Sequence, residues 1–175
     1  MYGDGLMRFV NTASLVPQTV KAYLEREIRE GGLLEDVETL IPSVNSDVPV
    51  DPPAIWIVQH PTTRWVNDKV NLSNKITLSV PFEFVCVEYS DDLEEAEILG
   101  ISLASRVGSS LMKNFNKVKV DDSMPNRFFH KLEFETLYPV GEVTVVGKSE
   151  MIPATSIIFN FVYVVDWLKC NRRYD

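Results

Sequence analysis

Histidine and cysteine are scarce here, with two of each among 175 residues. Neither His60 nor His130 has a second histidine or a cysteine at ligand spacing, which argues against a zinc site. Cys86 lies inside an apolar strand pattern and Cys170 lies near the end of the chain, so they do not build the disulfide framework of a small secreted protein. A reducing compartment is expected, with Cys86 as a small buried hydrophobe. Positive charge is also in deficit: 17 Lys and Arg face 25 Asp and Glu, a net charge of −8. That balance argues against wrapping nucleic acid by phosphate neutralisation. It also disfavours an anionic membrane surface. No apolar run reaches the ~18–20 residues of a spanning helix, because Asn160 and Asp166 interrupt the longest candidate. The opening MYGDGLMRFV has no basic stretch followed by an apolar run, so no secretion signal is expected. There is no GxGxxG, phosphate-binding loop or GxSxG, and Gly3-Asp4-Gly5 is too short to count. Asp121 and Asp122 with Asp51 lack the glycine and terminal glutamate of a calcium loop. Acid–base pairs assemble in space, so missing motifs weaken the enzyme reading without excluding it. The expectation is a non-enzyme with no cofactor and no metal.

What the chain does have is alternation and two helical periods. Hydrophobic residues make up 45%, ample for one domain spanning 1–175. Val16, Val20, Tyr23, Leu24 and Ile28 recur at helical spacing. Pro17 suits a first turn and Ser14 a cap, so a helix is predicted over 17–30, ended by Gly31-Gly32. The segment 33–53 carries Pro42, Pro49, Pro52 and Pro53, and reads as a long loop or a partner-binding arm. AIWIVQ at 54–59 reads as a strand apolar on both faces. A turn at 60–66 follows, then a polar stretch at 67–74 that reads as a hairpin tip or a short strand plus turn. A strand over 76–89 then alternates clearly from Ile76 to Val80 and becomes apolar on both faces after Pro81, which marks an edge, a bulge or a break.

Ser90, Asp91 and Asp92 cap the next helix, predicted over 92–115, and Asp92 with Glu95 fits a capping box. Its acidic first turn suits the helix dipole and needs no catalytic reading. Ala96, Gly100, Ala104 and Gly108 recur every four residues, a ridge that allows close packing on a sheet or against another subunit. A half-exposed strand is expected over 128–138, a turn at Pro139-Val140-Gly141, a short β segment over 142–146, a loop over 147–155, and a closing strand over 156–168. The fold class is therefore α+β: a mixed or antiparallel sheet packed against two main helices.

Arg64 and Trp65 follow a turn and are of the types that anchor interfaces. With Pro49 and Pro52 of the possible arm, and Gly100 and Ala104 of the ridge, they are the candidate contact residues.

The helix VPQTVKAYLEREI, the unit VPFEFVCVEYSDDLEEAEILGISLASRVGSSL and the strand SIIFNFVYVVDW resemble, in order and pattern, the tail terminator or tail-completion proteins of long-tailed phages. The resemblance covers roughly 15–30 and 54–168. It implies a virion protein, assembled in the host cytoplasm, that closes into a ring, expected to be hexameric, at the head-proximal end of the tail tube. Its implied partners are copies of itself, the tail tube protein and a head-completion or connector protein. DNA would pass through the lumen without specific binding, which the acidic balance suits. The family has no catalytic residues to carry over. The long 33–53 segment departs from its compact pattern. Two alternatives stand beside this reading: another neck or tail morphogenesis protein, and a small-molecule-binding domain or enzyme with an acidic pocket.

Overall fold

The computed structural model describes residues 3–29, 31–41, 51–60, 64–66, 75–114, 129–144 and 151–166. The elements are α1 (Gly3–Arg29), β1 (Thr39–Ile41), β2 (Ala54–Gln59), β3 (Arg64–Val66), β4 (Lys75–Val87), α2 (Leu93–Asn114), β5 (Phe129–Thr144) and β6 (Met151–Asp166). The fold is α+β. The strands form one mixed six-stranded sheet in the order β1-β2-β4-β6-β5, with β3 pairing β4 beside β2. Among the described strands, only β1 with β2 pairs in parallel.

The first helix is longer than the sequence predicts. It starts at Gly3, and Pro17 lies inside it rather than at its head. Ser14 is therefore not its cap. Proline removes one hydrogen bond of a helix, and here the neighbouring turns carry the chain through. From Val16 onward one face is buried, with Val16, Thr19, Val20, Tyr23 and Leu24 inaccessible or nearly so. Lys21 and Glu25 pair at 3.4 Å across one turn on the exposed side. The helix ends where the glycines stand. Gly31 is left-handed at φ 67°, and the Gly32 N–H donates to the Glu27 carbonyl at 3.1 Å. A side chain at position 32 would meet that carbonyl at 2.5 Å, so the stop needs both glycines.

The 33–53 segment is only partly the expected loop. Leu34 and Val37 are buried in the core, and Thr39–Ile41 is an edge strand. Arg106 of α2 holds the turn, donating to Asp36 at 2.5 Å and to the Leu33 carbonyl at 3.3 Å. That bond, more than the nearby charge, keeps the Asp36 carboxyl below its ordinary range against the opposing effect of burial. Residues 42–50, with Pro49, lie outside the described residues, as do the hairpin tip at 67–74 and the loop at 118–127.

Pro81 neither ends nor bulges β4. The β4–β6 register runs through it unbroken, Pro81 opposite Asn160. Its carbonyl accepts the His60 N–H at 3.0 Å, so its nitrogen faces the same side. On that side β2 has ended at Gln59 and β3 begins only at Arg64, and the missing N–H falls in the gap between them.

Two further corrections concern β5 and β6. Pro139-Val140-Gly141 is not a turn but a bulge within one strand that runs to Thr144, and β6 begins at Met151, inside the expected loop. β5 slips register against β6 three times, at Phe129/Lys131, Phe134/Thr136 and Pro139/Gly141. Each bulge bends the ribbon and increases its twist. Its far end arches across the face away from the helices, and Val143 of β5 and Ile152 of β6 join a cluster there with Trp56 of β2, three and two strands away.

Both faces of the sheet therefore carry buried clusters, the larger on the helix side. On the helix side, Ile55, Ile57, Leu78, Val80, Phe82, Phe84, Ile157, Phe159, Phe161 and Tyr163 meet α1 and α2. Phe161 lies at the centre of this core, 5.3 Å from the Phe82 ring and 4.9 Å from Phe129, both edge to face. Tyr23 ties the helices together, donating to the Ser110 carbonyl at 2.8 Å. The small-residue ridge of α2 faces this sheet. Gly100 and Ala104 are buried beneath their own helix, so they pack within the chain and offer nothing to a second subunit. A β-carbon at Gly100 would lie 3.4 Å from Thr155 Oγ1, while one at Gly108 would lie 2.9 Å from Ile157 Cδ1 and 3.4 Å from Phe159.

These distances separate the two glycines. Alanine in a helix interior is favoured over glycine by roughly 0.5–1 kcal/mol. Gly100→Ala makes only ordinary contacts and should raise stability by about that amount. Gly108→Ala must displace Ile157 and should show no gain. Leucine at either position overpacks and should cost ~1–3 kcal/mol. Denaturant melts of the three classes of variant provide the check.

Candidate functional site

β4 sends its even-numbered side chains from Leu78 to Cys86 into the helix-side core, which leaves Ser79, Pro81, Glu83, Val85 and Val87 on the other face. Glu83 stands among aliphatic neighbours there and is only 8% exposed. A carboxylate in that position needs donors, and three other segments supply them. Ser156 of β6 donates to Glu83 Oε1 at 2.5 Å, and Tyr138 of β5 donates to the same oxygen at 2.9 Å. His60, just past β2, lies with Nε2 2.8 Å from Oε2. The strand pairing puts them together: Glu83 is opposite Val58 and Ile158, and Tyr138 is opposite Ser156. Burial pushes the Glu83 carboxyl upward, but the bonds from Ser156, Tyr138 and His60 outweigh it and hold the carboxyl below its ordinary value. Tyr138 shifts the opposite way, raised by burial and by its bond to Glu83.

A serine, a histidine and a carboxylate invite comparison with a hydrolytic triad. The order is wrong for it. A triad places histidine between serine and acid, whereas here Ser156 and His60 both turn to the carboxylate. Ser156 is fully buried, and a carboxyl held below its usual range is a weak base for a hydroxyl. The cluster is suited to clamping the arched β5–β6 ribbon onto β4.

Beside the clamp, on the same face, lies a cavity of about 230 Å³. Trp56 and Val58 of β2, Val85 of β4, Ala154 of β6 and the stretch from Val140 to Val143 of β5 line it. Trp56 is 2% exposed, and its Nε1 has no hydrogen-bond partner among the described residues. Gly141 stands in the wall at φ 121°, with nothing within 4 Å of where a β-carbon would be. The lining is aliphatic and aromatic apart from Glu142, in contrast to the acidic pocket of the enzyme alternative.

The residues singled out from the sequence do not gather at this site. Arg64 and Trp65 lie in β3, opposite Ser79 and Leu78 at the other end of β4; their side chains are outside the described set. Pro52 is half-buried ahead of β2, joined by a cis peptide to Pro53, whose carbonyl accepts the Glu38 N–H at 2.9 Å. Gly100 and Ala104 lie on the opposite face of the sheet. The acidic cluster before α2 is a cap, as expected: Asp92 Oδ1 accepts the Glu94 N–H at 2.9 Å. Glu95 reaches back to the Ser90 hydroxyl instead of the Asp92 N–H. Cys86 is fully buried and its thiol is pushed up by burial, which makes it unreactive. Among the described residues no group of three metal-ligating side chains occurs, and no helix is long and apolar enough to cross a membrane. The clamp's one sequence signal was a lone acid in an apolar run, VPFEFVCV; its donors come from distant segments and carried none. A scan of protein-family models and a search of curated proteins found no match to this chain.

The clamp has a pH signature. A carboxyl whose folded value is depressed contributes stability above its unfolded value, about 4.3 for glutamate, and loses it as pH falls through and below that point. Wild type should therefore exceed Glu83→Gln in melting temperature at pH 7, with the gap closing below about pH 4. A constant gap at all pH values would mean that the charge of Glu83 plays no part. Tyr138→Phe should cost about 1 kcal/mol, the net worth of one such bond.

Proposed function

We propose that this chain is a structural virion protein that forms a ring at the head-proximal end of a phage tail tube, ends tube growth and joins tail to head. The observation that carries the reading is the outer edge of β5. It is the last strand of the sheet and one of its two longest, and no strand covers its outer side among the described residues. An open edge of that length is a template on which another chain can pair. Its first half bears Lys131, Glu133 and Glu135, which discourage indiscriminate pairing. Bulges interrupt both halves, and Glu142 is the one charged residue of the second. Phe134 and Val140 on this strand are 56% and 45% exposed.

A second apolar set lies on the helix layer, where Leu93, Ile98, Ile101 and Met112 of α2 are exposed. A closed ring repeats one contact between two different surfaces, and an edge and a helix layer meet that requirement. The strand–helix–strand order resembling tail terminators supports the same reading. The partners are then further copies, the tail tube protein and a head-completion or connector protein. A net charge of −8 per subunit would give a ring through which DNA passes without adhering.

Loss of the gene should leave tails abnormally long or unjoined to heads in electron micrographs. Normal infectious particles would overturn the reading. In the purified protein, Phe134→Lys and Val140→Glu should abolish ring formation on tube tips while leaving the melting temperature within a few degrees of wild type. Labelling the protein along the particle separates the tail end from other neck positions.

A further inference from the structure

The cavity beside the Glu83 clamp shares only Val140 with the exposed apolar residues of the proposed ring contact, and Trp56, Val58, Val85 and Ala154 of its lining lie on other strands. We propose that it binds a small, neutral, two-ring aromatic molecule carrying a hydrogen-bond acceptor.

Size comes first. An engineered apolar cavity of about 150 Å³ accepts benzene, and the 230 Å³ here leaves space for a second fused ring. Charge comes next. Trp56, Val58, Val85 and Ala154 form an apolar floor contributed by three strands, and burying an ion against it is costly. Among the described residues, no cationic side chain lines the space. Glu142 at its exposed rim repels anions. Polarity comes last. The Trp56 indole N–H is a donor that buried tryptophan normally satisfies, and here it has no acceptor. Trp56 is itself a lining residue of the space, and a ring acceptor on the ligand is assigned to this unpaired donor.

The space is built rather than left over by loose packing. The Pro139/Gly141 bulge lies in the β5 wall, and Gly141 adopts a backbone conformation that other residues resist. Val140 belongs both to this wall and to the proposed ring contact, so binding is read on the unassembled subunit.

The test is a titration of the full-length, ¹⁵N-labelled chain near neutral pH, followed at the tryptophan indole resonances, with Trp56→Phe identifying the Trp56 signal. Quinoline is the probe. Indole is the neutral two-ring control without a ring acceptor, and 2-naphthoate is the anionic control. Quinoline should shift the Trp56 resonance saturably, with a Kd of about 1 mM or tighter. Indole should bind about five-fold more weakly, the worth of one neutral hydrogen bond, and 2-naphthoate should not saturate. Val58→Phe and Val143→Phe fill the space from opposite walls at half-buried positions. Either one, if it keeps the wild-type melting temperature, should weaken quinoline by about ten-fold or more. The proposal fails if quinoline gives no saturable shift, if a folded filled variant binds it as wild type does, or if 2-naphthoate binds equally well.

Discussion

The antiparallel ladder between β4 and β6 is the constraint on which everything else depends. It runs without a slip from Lys75 opposite Asp166 to Cys86 opposite Thr155. With every residue in step, the even positions of β4 and the odd positions of β6 share one face, and both helices settle on it. A slip of one residue would move every one of those side chains to the other face. Pro81 would endanger such a ladder if its nitrogen faced β6. It faces the gap between β2 and β3, and the ladder continues.

The other face of the same ladder is less uniform, and the clamp and the cavity lie there. Aliphatic residues of β2, β4 and β6 make a second, smaller core, but Glu83 stands within it. Its desolvation is offset only because the ribbon returns to bring Tyr138 and Ser156 onto one oxygen and the β2 end brings His60 to the other. The bulges that bend β5 over this face also place Val140 to Val143 in the cavity wall that Trp56 shares. Clamp and cavity thus have one origin: a ribbon longer than the sheet beneath it, bent by three register slips.

The helix layer works differently. α2 comes close to the sheet because Ala96, Gly100, Ala104 and Gly108 present almost no side chain there, and Gly108 is already near the limit of approach. With the small face turned inward, Leu93, Ile98, Ile101 and Met112 are left outside. The proposed ring draws on that exposure and on the open β5 edge, two distinct surfaces of one subunit. The clamp and the ridge serve the subunit itself.

Local pattern made much of this legible. The buried face of α1, its glycine stop, the Asp92 cap and the alternation of β4 and β6 follow from side-chain period and from backbone groups that must be satisfied within a few residues. So did the α+β class. Sequence alone did not decide whether the α2 ridge meets a sheet or a subunit, since small residues permit either; burial against Thr155 and Ile157 decides it. Nor did it show that Pro17 is carried within a helix, or that Pro139-Val140-Gly141 is a bulge rather than a turn. Proline and glycine mark where a backbone bends, and the pairing partner determines how. The Glu83 clamp is the clearest case. Its donors lie 23, 55 and 73 residues away along the chain, and only the tertiary fold, by closing those distances, turns one acid in an apolar strand into a fastening.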